Sequence, residues 1–140
     1  MPDAVDQPGG NPYRRTRPAT EVGGEVRYVH TTGFVLAYRS VGDTDRISVG
    51  GELTATTAGL LDAETVDGCR PGADLVLDLT EVTFLDVMGV AALRRAHYRA
   101  VLQGGLRLGL PVAGGPSRML ALGVDHGWLP STFRPGVPVF

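Results

Sequence analysis

Asp86 holds the position in this sequence that most plainly sets up chemistry. It follows the apolar pair Phe84-Leu85 and precedes Val87-Met88-Gly89-Val90. A carboxylate there suits a helix start, because its oxygen accepts a backbone N–H of the first turn that has no partner inside the helix. Asp78 stands within Leu75-Val76-Leu77-Asp78-Leu79-Thr80, and with Asp86 it forms the pair of carboxylates that an acid–base reading would use. An aspartate at a strand end more often accepts backbone N–H groups, so no catalytic residue is assigned. His30, His97 and His126 are scattered without metal-ligand spacing, and Cys69 is the single cysteine. No metal, disulfide or cofactor is therefore expected. Ala113-Gly114-Gly115-Pro116-Ser117 puts glycines ahead of a helix but lacks the lysine of a P-loop.

The elements that must position Asp86 can be read from periodicity. Leu75 to Thr80 is short and β-prone, as in a buried strand, and Glu81 to Leu85 reads as a turn returning apolar side chains to the core. Val87 to Gln103 carries Val90, Leu93, His97 and Val101 at helical spacing, with Arg94, Arg95 and Arg99 free to reach water. Gly104-Gly105 stops that helix. Upstream, Val26 to Ser40 and Arg46 to Val49 read as a hairpin, ended by Gly50-Gly51-Glu52-Leu53. Thr54 or Thr56 then caps a helix to about Val66, and Asp67 to Gly72 breaks the chain before the central strand. Downstream come a strand at Leu106 to Leu110, a loop from Pro111 to Pro116 and a last helix from Ser117 to Leu122, ending at Gly123. Trp128, Leu129 and Phe133 are expected to form a hydrophobic clasp over the helical layer, an exposed Trp128 being the alternative.

Strands alternating with helices after an opening hairpin imply a single α/β domain over 26–140. Residues 1–25, rich in Pro and Gly, are expected to form a disordered tail. Its Arg14-Arg15-Thr16-Arg17 cluster reads as a solvated run rather than a tether for an acidic partner or nucleic acid. A net charge of −2 supplies no basic field, so neither nucleic acid nor a membrane is expected as a direct partner. The first residues lack the basic-then-apolar order of a signal peptide, which points to the cytoplasm.

Val76-Leu77-Asp78-Leu79-Thr80 followed by Phe84-Leu85-Asp86-Val87-Met88-Gly89-Val90 resembles the signature of the STAS domain, the fold of bacterial anti-sigma factor antagonists. Gly51-Glu52-Leu53, the Gly104 to Leu108 segment and the final helix fall in the family's order, and the resemblance covers roughly Phe34 to Pro130. It implies a mixed β-sheet of four to five strands covered by three to four helices. It also implies a non-enzymatic regulatory module that binds an anti-sigma factor with a serine-kinase fold. The partner-binding surface it indicates is Asp86, Val87, Met88, Gly89 and Val90, with the Glu52-Leu53-Thr54 turn beside it. In the family two hydroxyl residues commonly follow the signature aspartate, and the partner kinase phosphorylates one of them. Here those positions hold Val87 and Met88, so that switch has no hydroxyl to act on. Three consequences follow: an antagonist that is always competent, control moved to Thr54, Thr56, Thr57 or Thr83, or a STAS scaffold reused for self-assembly or nucleotide sensing.

Overall fold

The computed structural model describes residues 14–17 and 26–136. Strands β1 (Arg14–Arg17), β2 (Val26–Thr31), β3 (Phe34–Val41), β4 (Thr44–Leu53), β5 (Asp74–Leu85) and β6 (Gly105–Gly109) lie side by side in chain order in one sheet. The pairings from β1 to β4 are antiparallel, and β4–β5 and β5–β6 are parallel. Helices α1 (Ala58–Ala63), α2 (Val87–Gln103) and α3 (Gly114–Asp125) supply the crossovers and cover. The mixed sheet and its helices match the expected fold class, with β1 added at the edge of the four to five strands anticipated.

Alternation along the strands makes the sheet two-faced. Val29, Leu36, Tyr38, Ile47, Leu75, Leu77 and Leu79 point to one side and share a core with Val90, Leu93 and Ala96 of α2 and Leu120 of α3. The intervening residues, among them Val35, Arg39, Arg46 and Arg107, face away from that core and are exposed. No helix among the described residues is long and apolar enough to cross a membrane.

Several boundaries differ from expectation. Thr32-Gly33 splits the first expected strand into β2 and β3, so the opening is a run of two hairpins. Glu81 to Leu85 is strand rather than turn: β4 continues alongside it after register shifts at Ser48/Gly50 and Gly51/Glu52. Phe84 consequently points outward, since its neighbour Leu85 is buried. α1 ends at Ala63 and runs into a π-helical turn, Glu64–Gly68. Val101 is exposed on α2, and α3 passes through Gly123 because that position, lacking a side chain, admits Leu129 and Val90. Leu129 and Phe133 form the expected clasp, whereas Trp128 is partly exposed and stacks on His126. Of the expected tail, Arg14–Arg17 is a strand: an edge strand needs only backbone partners, here those of β2, and no apolar pattern of its own. The rest of 1–25 lies outside the described residues.

A buried polar network ties the hairpins to the π-turn. Arg27 and Glu64 form an ion pair of 2.7 Å with side chains only 5% and 2% exposed. Arg27 also donates to the Gly68 carbonyl at 2.6 Å and lies 3.6 Å from the centre of the Tyr38 ring. The Tyr38 hydroxyl donates to Asp45, whose carboxylate also accepts from the Arg70 backbone and guanidinium. Burial, reinforced by the hydrogen bond to Asp45, pushes the Tyr38 phenol up to about 12. Burial and the Asp45 and Glu64 carboxylates push the Cys69 thiol up to about 12 as well.

Glu64→Gln takes from Arg27 its 2.7 Å ion pair inside the buried network and is expected to lower the unfolding free energy in urea by about 3 kcal/mol. Replacing Arg27 and Glu64 together by apolar residues of similar volume should recover much of that loss. A second expectation concerns alkali. Tyr38 and Cys69 titrate higher in the folded chain than their ordinary values of 10.0 and 9.0. Their stabilising share is complete below those values and is lost as pH rises toward about 12. The chain has no lysine to confuse this range, and Tyr38→Phe with Cys69→Ala should flatten the alkaline limb of a stability–pH profile.

Candidate functional site

The site is built where β4 and β5 end together, at Leu53 opposite Leu85. Asp86 has extended backbone, and its side chain accepts from the Gly89 N–H at 2.9 Å, the cap expected from sequence. Its second oxygen accepts from the Ala55 N–H at 3.3 Å, and its own N–H donates to the Leu53 carbonyl. One carboxylate thus fastens the start of α2 to the loop that follows β4.

That loop is held internally by Thr57. Its hydroxyl donates to the Glu52 carbonyl at 2.7 Å and accepts from the Thr54 N–H at 3.0 Å. Thr57 therefore occupies the position before α1 expected for Thr54 or Thr56, and its hydroxyl is buried and engaged in both of these bonds. Thr56 and Thr83 are exposed, while Thr54 is half-buried and accepts from the Thr56 N–H.

Two glycines make the close approaches possible. Gly51 has φ 86°, and a side chain there would meet the Gly33 carbonyl in the β2–β3 turn. A Cβ on Gly89 would lie 2.3 Å from the Leu53 carbonyl oxygen and 2.7 Å from Leu85 Cδ1. The first turn of α2 accordingly rests directly on the end of β4.

The eight residues indicated by sequence divide under this geometry. Val87 and Met88 are 53% and 49% exposed, and Glu52 is exposed near the end of β4, opposite Phe84. Asp86 and Thr54 are half-buried. Leu53, Gly89 and Val90 are buried, so they cannot touch a partner and instead form the floor that presents the others. Phe84, 53% exposed and in register with Glu52, is the surface residue that sequence reading turned inward. The register shift at Gly51/Glu52 breaks the alternation between Val82 and Leu85, both on the core side, and turns Phe84 outward, which the sequence of 81–85 does not signal. Phe84, Val87 and Met88 give this corner three large apolar side chains within five residues of chain.

Asp78 and Asp86 do not form an acid–base pair. Seven strand residues separate them, roughly 20 Å or more of β-strand. Asp78 pairs with Arg46 at 2.6 Å on the sheet face and accepts from the Thr80 hydroxyl and N–H. Burial raises the Asp78 carboxyl, but the Thr80 bonds and Arg46 outweigh it and hold the group below the usual carboxylate range. Among the described residues no group of three or more His, Cys, Asp or Glu is placed to hold a metal ion.

A family model described as "Mlab, STAS domain" matches residues 36–122, which contain β4, α1, β5, α2 and β6 entire. Among solved structures, the chain is similar to the crystal structure of an antisigma-factor antagonist STAS domain from Rhodobacter sphaeroides. That match has 18% identity and a TM-score of 0.44, covering 54% of this chain and 85% of that one. No curated protein matches it.

The Gly89–Leu53 contact leads to a graded expectation. Gly89→Ala must push α2 off the end of β4 and should cost about 1–3 kcal/mol, as overpacking does. Asp86→Ala, which removes the cap without adding bulk, should cost about 1 kcal/mol. Denaturant melts of the two variants check the order, and a Gly89→Ala variant as stable as the parent would contradict the close approach.

Proposed function

This chain belongs to the STAS domain family, and from that membership we propose that it is a non-enzymatic regulatory module that binds an anti-sigma factor with a serine-kinase fold. The observation that carries this reading is the corner at the start of α2. Phe84, Val87 and Met88 are exposed there over a rigid floor of Leu53, Gly89 and Val90, ringed by Glu52, Thr54 and Asp86. Large apolar side chains held outward on a fixed backbone give a partner area to bury at little ordering cost. Met88 adds a flexible, polarisable contact.

The same corner is where the family's phosphoryl group would sit. A phosphate there adds a charge of about −1.5 to −2 in the middle of an interface. Val87 and Met88 offer no hydroxyl, so the module works without phospho-control at this position and stays competent to bind. A second reading, a self-assembling STAS scaffold, draws on a different surface: Tyr98, Val101 and Leu102 are all exposed on the C-terminal half of α2.

The two readings separate by experiment. Met88→Asp places a charge where the apolar contact forms and should weaken binding of a purified kinase-fold anti-sigma factor by roughly a hundredfold, with the melting curve unchanged. Calorimetry or interferometry measures this, and equal affinity for parent and variant rejects the corner as the docking surface. Discrete self-association in sedimentation, lost in Tyr98→Ser/Leu102→Ser and indifferent to Met88→Asp, would favour the scaffold.

A further inference from the structure

The sheet face opposite the helices carries an alignment that the proposed partner site does not use. Following the pairing register from β2 to β6, Val26 lies opposite Arg39, Arg39 opposite Arg46, Arg46 opposite Val76, and Val76 opposite Arg107. Among the described side chains, one straight row across the sheet thus contains three arginines, two valines and no acid. Four inter-strand gaps of about 4.8 Å make it roughly 19 Å long. Arg39 and Arg107 are exposed, and neither has an ion pair among the described residues. Arg46 is held by Asp78.

Like charges directly opposite one another destabilise a sheet, and Arg39 faces Arg46 across the ladder. Asp78 offsets Arg46, but Arg39 and Arg107 have no such partner among the described residues, which makes a ligand the natural source of their pairing. We propose that this face binds an acidic polypeptide segment, laid in extended form across the strands along the arginine row.

The chemistry favours carboxylates. Every cationic side chain of the protein is arginine, whose planar fork matches a carboxylate with two parallel hydrogen bonds. In an extended chain, alternate side chains recur on one side at roughly 7 Å, so a run of Glu or Asp places about three carboxylates along the row. A single-stranded nucleic acid fits less well. Tyr28 is the aromatic ring beside the row, whereas such strands use a series of stacking platforms. Asp78 on one flank and Asp74 on the other confine the positive surface to the width of one row.

The row crosses β4 and β5 at Arg46 and Val76, toward the other end of these strands from Glu52 and Phe84, so it is separate from the corner assigned to the anti-sigma factor. The test is fluorescence anisotropy of the full chain with a labelled oligo-glutamate peptide of about ten residues in about 0.15 M salt. Unlabelled oligothymidylate and a neutral peptide of the same length serve as competitors. The expected result is saturable peptide binding, weakened roughly tenfold in Arg39→Gln/Arg107→Gln and unaffected by Met88→Asp. Both arginines are exposed, and circular dichroism of the double variant verifies its fold. No peptide binding, equal affinity in the double variant, or tighter binding of oligothymidylate than of the peptide would each overturn the proposal. Retained peptide binding alongside absent anti-sigma binding would instead separate this site from the reading of the α2 corner.

Discussion

The backbone of α2 meets the Leu53 carbonyl at a point where no side chain fits. This contact fixes the rest of the partner corner. With Gly89 seated on the end of β4, helical geometry turns Val90 and Leu93 into the core and leaves Val87 and Met88 outside. Asp86 completes the joint from the other side, capping α2 with one oxygen and holding Ala55 with the other. The exposed apolar side chains are therefore presented by a rigid frame rather than by a loose loop, and their positions follow from packing below them.

The opposite end of the sheet is secured by different physics. There the Arg27–Glu64 pair, the stacked Tyr38 and the Asp45 carboxylate replace apolar burial with a connected polar network. Such a network stabilises only when every member is satisfied, and it specifies one arrangement of the hairpins against the π-turn. One face of the sheet is thus committed to helices and anchored at both ends. The other is left open, with arginines aligned across it.

What the sequence made legible was local. The Asp86 cap, the limits of α2 at Val87 and Gln103, the Gly104 stop and the β6 strand each carry their own signal within a few residues. The misreadings arose where distant chain decides. Glu81 to Leu85 extends as strand because β4 continues beside it past two register shifts, an arrangement invisible from 81–85 alone. Gly123 reads as a helix stop, yet its missing side chain is filled by Leu129 and Val90. Arg14–Arg17 pairs through backbone groups and so leaves no apolar pattern to read. Of the residues that the sequence assigns to the partner corner, it could not separate the buried Leu53, Gly89 and Val90 from the exposed Glu52, Val87 and Met88, nor show Phe84 beside the latter.

The most direct measurement is hydrogen–deuterium exchange of the chain with and without a kinase-fold anti-sigma factor. Docking at the start of α2 predicts new protection confined to amides of 52–57 and 84–91, with the C-terminal half of α2 and the open sheet face exchanging as in the free chain. Protection elsewhere, with 84–91 unchanged in the complex, would contradict it.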